Sequence, residues 1–292
     1  MSRTSKIPTT ETRSKPKVLV FDSGVGGLTI VAEIQKLLPH CELLFVADNQ
    51  AFPYGTKSES FVQERVVKVL AKAIAEVPVH MIVIACNTAS TVILPTLRAE
   101  FDMPIVGVVP AIKPAALLTE TGVIGVLATP GTVQRRYTQE LISEFAQGTE
   151  VILVGAPELV ALAEGKMDGN SVDMPALQRA IQPMLDHPLA GRLDTIVLAC
   201  THFPWLAPEL DELMPQPIQW VDSGAAIARR VQALLADTDA LSERGLSKNE
   251  VTHQAFATAS SSSLSLLAQQ QLSCELKVLA GFQADVKHES KD

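Results

Sequence analysis

The chain lacks the charge that would suit it to nucleic acid or to an anionic membrane. Its 24 Lys and Arg stand against 32 Asp and Glu, a formal charge of −8 that favours solubility and offers no basic excess to phosphates. Long apolar runs are missing too: stretches such as Met81 to Ala85 fall far short of the roughly 20 residues that span a bilayer. The opening MSRTSKIPTTETRSKPK holds five basic residues but no apolar h-region, so it reads as neither signal peptide nor anchor. Residues 1–16 are expected to form a mobile tail, and the protein to be cytoplasmic, with no nucleic-acid or membrane partner. Cysteine is scarce. Cys41, Cys86, Cys200 and Cys274 form no CxxC pair and no His/Cys cluster at zinc spacing, which argues against disulfides and a structural metal and predicts free thiols. Nucleotide signatures are absent, because GxGxxG begun at Gly24 would need glycine where Thr29 stands, and no Walker sequence occurs.

What is present is a well-filled α/β pattern. Hydrophobic residues make up 47% and charged ones 19%, the balance of a packed enzyme, and 292 residues suffice for one large or two ordinary domains. Short apolar strands alternate with amphipathic helices, beginning with KVLVF at Lys17 to Phe21 and ELLFVA at Glu42 to Ala47. A helix opening at Ser58 carries Val62, Val66, Val69, Leu70, Ala73 and Val77 at helical period. Such alternation predicts parallel sheets covered on both faces by right-handed crossovers. Ala236 to Lys248 reads as a linker or charged loop, and the Ser-rich turn Ser260 to Ser263 sits in a last strand-helix-strand unit without visible chemistry.

The chemistry gathers at strand ends. Ile82 to Thr88, IVIACNT, recurs as Ile196 to His202, IVLACTH. The 114 residues between Cys86 and Cys200 are about one α/β domain, so the recurrence reads as a duplication with one thiol from each half. Open α/β sheets bind ligands outside the carboxyl ends of their strands, which makes the cleft between halves the expected site. FDSGVGG, between the first strand and its helix, predicts backbone N–H groups aimed at a carboxylate or phosphate. Asp222-Ser223-Gly224 reads as a second copy of Asp22-Ser23-Gly24 that kept the turn and lost the site. Cys41 and Cys274, with no polar signature, read as small buried hydrophobes.

A catalytic thiol, with an ordinary pKa of about 8.5, needs a neighbouring base or donors to its anion. Asp22 can sit beside Cys86, and His202 beside Cys200. Two equivalent thiols suggest stereoinversion: one removes a proton from carbon, and the other returns a proton to the opposite face. No cofactor is needed if fixed donors lower the cost of the carbanion, each contributing about 3 kcal/mol as in oxyanion sites. Ser23, Asn87, Thr88 and Thr201 lie beside the thiols as candidate holders of carboxylate and ammonium groups, and Tyr54-Gly55 reads as a substrate-facing loop.

The stretches FDSGVGG, ADNQAFPYG, ACNTAS, GVVPAIKPA, GVLATPGT, ACTHFP and VDSGAAIARR, in that order over about Val18 to Val231, resemble the glutamate racemase family of the aspartate/glutamate racemase superfamily. The resemblance implies two pseudo-symmetric flavodoxin-like domains with the active site in the interdomain cleft. Residues 17–112 and 225–285 would form the first domain and 113–224 the second, with the return near Gly224. It implies cofactor-independent proton transfer between L- and D-glutamate, supplying D-glutamate for peptidoglycan and so serving cell-wall biogenesis and cell shape. Cys86 would act on the D-enantiomer and Cys200 on the L-enantiomer, assisted by Asp22, His202 and Glu164. Substrate contacts would fall on Asp22-Ser23, Tyr54-Gly55, Asn87-Thr88 and Thr201-His202.

One departure from the family pattern touches the assisting glutamate. Many members have Cys-Pro where this chain has Ala156-Pro157-Glu158, so Glu158 competes with Glu164, which is preferred and is expected to close the short helix after Pro157. The extended N-terminus resembles members activated by UDP-N-acetylmuramoyl-L-alanine, and a monomer or homodimer is expected. Three other readings stay open: the same mechanism on aspartate or hydantoin, a hydrolase using only Cys200 and His202, and a non-catalytic protein that holds an anion on the DSG turn.

Overall fold

The computed structural model describes residues 15–237 and 251–282. The expected N-terminal tail and the loop from Ala236 to Lys248 lie for the most part outside the described residues. Ten strands are present among them: β1 Lys17–Asp22, β2 Glu42–Ala47, β3 Met81–Ile84, β4 Ile105–Gly107, β5 Val123–Ala128, β6 Glu150–Gly155, β7 Thr195–Ala199, β8 Gln219–Val221, β9 Gln254–Ala257 and β10 Leu276–Val278. They form two sheets, ordered β10-β9-β2-β1-β3-β4 and β6-β5-β7-β8. Every pairing is parallel.

The apolar runs follow from burial on both faces. Alternation along β1 sends Val18 and Val20 into one core cluster and Leu19 and Phe21 into another, all of them fully buried. In the second sheet, β7 does the same with Ile196 and Leu198 against Val197 and Ala199. Each large aliphatic buried this way contributes about 1.5–3 kcal/mol relative to exposure. Side-chain caps fix where several covering helices begin, as where Ser58 accepts from the Phe61 N–H at 3.3 Å and Thr129 from the Thr132 N–H at 3.4 Å.

The two sheets share one topology. The order β2-β1-β3-β4 is repeated as β6-β5-β7-β8, so β3 and β7, the two strands that lead to cysteine, are counterparts. The DSG recurrence is not part of this repeat. Asp222 follows β8, the counterpart of β4, whereas the counterpart of the Asp22 turn is Thr129-Pro130-Gly131-Thr132 after β5. Asp222 Oδ1 accepts from the Gly224 N–H at 2.7 Å and the Ser223 hydroxyl donates to the Val109 carbonyl at 2.7 Å, tying together the loops that follow β8 and β4. A short polar-glycine tripeptide suits any strand-to-helix turn, so its recurrence marks geometry rather than ancestry.

Two helices depart from the sequence expectation at site positions. The helix after β3 spans Asn87–Glu100 rather than starting near Ser90, which puts Cys86 at its N-cap position. Asn87 and Thr88 form its first turn, where backbone N–H groups have no intrahelical partner and polar side chains are at home. The helix after β6 spans Glu158–Met167, so Glu164 lies inside it and Gly165 does not end it. An interior glycine costs about 1 kcal/mol against alanine, less than the burial of Leu159, Val160 and Ala163 on the second sheet contributes.

Each sheet has one switch point, between β1 and β3 and between β5 and β7. Asp22 ends β1, Cys86 lies just beyond β3, and Thr129 and Cys200 each directly follow their strands, β5 and β7. That is where ligands of open α/β sheets bind.

Candidate active site

Asp22 is the polar centre of the site. It is fully buried, and its Oδ1 accepts from the Ser23 N–H at 2.6 Å and the Ser23 hydroxyl at 3.3 Å. Its Oδ2 accepts from the Thr201 hydroxyl at 2.9 Å, a bond that links the first sheet to the second. Burial pushes the Asp22 carboxyl above its ordinary range, against the pull of the His202 charge, the Thr201 hydroxyl and the Ser23 and Gly24 N–H groups. The glycine turn uses part of its N–H groups internally. The N–H groups at its start serve Asp22, and those of Leu28, Thr29 and Ile30 bond the turn's own carbonyls of Val25, Gly26 and Gly27.

The glycines also serve close approach. A Cβ on Gly26 would lie 2.4 Å from Thr201 Oγ1 and 2.6 Å from His202 Nδ1, so the bare backbone lets the loop carrying Cys200 dock against the first half. Gly26→Ala is expected to lower kcat/KM by about 100-fold, the usual effect of misplacing reacting groups by about 1 Å, while the melting temperature falls by only a few degrees. Steady-state kinetics beside a thermal melt check it, and wild-type turnover in Gly26→Ala would contradict it.

Cys86 and Cys200 line one small cavity. The Ser23 hydroxyl lies 3.7 Å from Cys86 Sγ. Burial first, and the Asp22 charge next, push the Cys86 thiol up to about 12, although the Ala89 N–H and the Ser23 hydroxyl favour its anion. On the other side, His202 Nδ1 lies 3.9 Å from Cys200 Sγ and its Nε2 lies 2.6 Å from Glu164 Oε1. Burial alone would push the His202 imidazole down, but its hydrogen bonds to Cys200 and Glu164 lift it to about 10. Phe52 and Trp205 flank the ring, at 5.6 Å and 6.2 Å between centroids. The site therefore has two unlike thiols, one against a carboxylate and one against an imidazolium.

Ten of the sequence-selected residues line this cavity: Asp22, Ser23, Tyr54, Gly55, Cys86, Asn87, Thr88, Cys200, Thr201 and His202. Glu164 stands behind His202, with its side chain 27% exposed, while Glu158 is exposed in the first turn of the same helix and makes no bond to His202. Tyr54 turns its hydroxyl away, donating to Asp48 at 2.6 Å. Asn87 Oδ1 is a buried acceptor with no protein partner. Of the remaining cysteines, Cys41 is buried as expected, but Cys274 is only partly so. Among the described residues no group of His, Cys, Asp and Glu is placed to hold a metal ion, and no helix is long and apolar enough to cross a membrane.

Comparison with known proteins gives the family. Residues 28–231 match the family described as Asp/Glu/Hydantoin racemase. The chain belongs to that racemase family. Glutamate racemase of Serratia proteamaculans is 51% identical over 232 residues, 80% of each chain. The crystal structure of Escherichia coli glutamate racemase in complex with L-glutamate and the activator UDP-MurNAc-ala superposes with a TM-score of 0.83 at 46% identity, covering 91% of this chain and 98% of that one. Glutamate racemase RacE1 of Bacillus anthracis gives a TM-score of 0.75 at 28% identity, with 92% and 97% covered.

This racemase also has site residues that the sequence reading passed over. Thr129 lines the cavity, and its hydroxyl lies 3.1 Å from those of Thr88 and Thr132, joining the two halves. Thr129 lies in GVLATPGT, one of the stretches that carry the resemblance, and its place after β5, the counterpart of β1, marks it as a site residue. Phe52 and Pro53, in the ADNQAFPYG stretch just before Tyr54, complete the apolar wall together with Val160, whose local sequence looks like that of an ordinary core residue.

Proposed function

We propose that this racemase interconverts L- and D-glutamate by proton transfer between Cys200 and Cys86, without a cofactor. The observation that carries the reading is that two cysteines, one from each sheet, line one small cavity, each with its own polar partner. The proposed halves, residues 17–112 with 225–285 and residues 113–224, contribute one cysteine each to the cavity; residues 238–250 and 283–285 lie outside the described residues. The chemistry follows from the asymmetry of the two thiols. A thiol held up to about 12 keeps its proton at neutral pH, so Cys86 rests as the acid. The Cys200 sulfur, facing a charged His202, takes the α-proton of L-glutamate while Cys86 delivers its own proton to the opposite face, giving D-glutamate.

Resetting uses the two partners. Asp22, whose carboxyl is raised by burial, can carry a proton back to Cys86, and the charged His202, held by Glu164, favours the Cys200 anion once its proton has left to solvent. Ser23, Thr88 and Thr201 offer hydroxyls, and the unpartnered Asn87 Oδ1 suits the substrate ammonium, since a buried acceptor without a donor costs about 1–3 kcal/mol. The E. coli relative in its L-glutamate complex supports the choice of substrate over aspartate or hydantoin. Its activator supports UDP-N-acetylmuramoyl-L-alanine as an activator here, and D-glutamate for peptidoglycan as the cytoplasmic product. A hydrolase acting through Cys200 and His202 alone would leave the pairing of Cys86 with Ser23 and Asp22 without a task.

The test is turnover of L-glutamate in deuterated water, followed by circular dichroism and proton NMR. The ellipticity is expected to decay to zero, with D-glutamate carrying deuterium at Cα from its first appearance. Unlabelled D-glutamate, or an unchanged ellipticity beside racemised aspartate, would refute the reading.

A further inference from the structure

We infer that Asp48 and Thr258, both outside the cavity, are positioning residues that hold the Tyr54-Gly55 wall of the active site; the inference rests on the glutamate reading above. Asp48 follows β2 and is fully buried. Both its oxygens are doubly used. Oδ1 accepts from Arg65 Nη2 at 2.7 Å and the Thr258 hydroxyl at 2.7 Å, and Oδ2 accepts from Arg65 Nε at 2.8 Å and the Tyr54 hydroxyl at 2.6 Å. Arg65 comes from the helix Glu59–Glu76, and Thr258 from the chain just after β9, which has returned to the first sheet. The carboxylate therefore gathers three separate elements around the tyrosine.

The return segment is fastened to the same spot by its backbone. The Thr258 N–H donates to the Ala47 carbonyl at 3.1 Å, the Gln50 N–H to Thr258 Oγ1 at 3.1 Å, and the Ala259 N–H to Asn49 Oδ1 at 2.9 Å. Tyr54 in turn begins the short turn Tyr54–Thr56 that forms one side of the cavity. Its neighbour Gly55 meets the second half so closely that a Cβ there would lie 3.2 Å from Thr129 Cβ. The Tyr54 hydroxyl thus fixes, through one residue, where the first half's wall touches the second half's.

Physical chemistry says why a charge is used here. A buried ion pair adds little net stability over apolar residues of the same shape, since desolvation offsets the attraction. A fully bonded buried network does fix geometry, because every misplacement leaves a charge or donor unpaired. Asp48 is more than a filler for the core: its four bonds allow one position for the tyrosine. Loosening that wall should weaken the grip on glutamate more than the proton transfer at sulfur. The expected signature is a raised KM with kcat retained.

The test uses the full chain carrying Tyr54→Phe, Thr258→Val, both together, and Thr258→Ser. KM and kcat are measured for both enantiomers well below the melting temperature, with a thermal melt of each variant. Tyr54→Phe and Thr258→Val are each expected to raise KM about tenfold, as for loss of one hydrogen bond to a charged group, with kcat within about threefold. The double variant should be no worse than the worse single, because both act through Asp48, and Thr258→Ser should restore the wild-type KM. Lowered melting temperatures with unchanged KM, a fall in kcat at constant KM, or a Thr258→Ser variant as impaired as Thr258→Val would each overturn the inference. Wild-type protein that fails to racemise glutamate would instead overturn the function on which it rests.

Discussion

Replacing Cys86 or Cys200 by serine is expected to lower racemisation by about 1000-fold or more, the range of a lost general acid or base. In each variant kcat/KM should fall by the same factor for L- and D-glutamate. The two enantiomers have equal free energy in water, so the equilibrium constant is unity and no substitution can favour one direction. The sulfurs can still be told apart by exchange without inversion. In Cys86→Ser, Cys200 remains able to remove the α-proton of L-glutamate and return one derived from solvent to the same face, so L-glutamate gains deuterium and stays L. Cys200→Ser should do the same for D-glutamate. Proton NMR of each enantiomer in deuterated water, beside circular dichroism, checks both. Near-normal racemisation by Cys86→Ser would exclude the two-base scheme, and hydrolysis surviving in that variant would favour the single Cys200-His202 pair.

How far the molecule is legible in its sequence depends on the range of the forces involved. Burial on both faces writes itself into every position of a strand, so KVLVF and IVIA announce parallel strands at once, and the recurrence of Cys86 as Cys200 matches the repeat of strand order. Local contacts are partly visible. The step from Cys200 to His202 is two residues, and their side chains do meet, at 3.9 Å. Long-range polar contacts leave no periodic trace. Asp48, Arg65 and Thr258 form a buried polar network across 210 residues of sequence, yet each alone looks like an ordinary turn or helix residue. The same applies to Glu164, which reads as a solvated helix end until His202 is seen opposite it. The DSG recurrence is the opposite failure, a visible pattern whose cause is the generic chemistry of a strand-to-helix turn.

Asp22→Asn sets two effects against each other, and their sizes decide the outcome. The Asp22 charge helps hold the Cys86 thiol up, so its removal eases ionisation of that thiol and should speed alkylation of Cys86 by iodoacetamide at neutral pH. By itself this would help Cys86 act on D-glutamate, by about tenfold for each pKa unit regained. The same substitution removes the group beside Cys86 that can carry its proton, and replaces an oxygen that accepts from Ser23 or Thr201 with an amide donor. A lost proton carrier costs about 100- to 10,000-fold, more than the eased ionisation returns. Net loss of about 100-fold or more in kcat/KM, equal in the two directions, is therefore expected together with faster Cys86 alkylation. Steady-state kinetics and mass spectrometry of the alkylated peptide measure the two separately. Slower racemisation with unchanged alkylation would make Asp22 a brace between Ser23 and Thr201 only, and unchanged racemisation would remove it from the proton path.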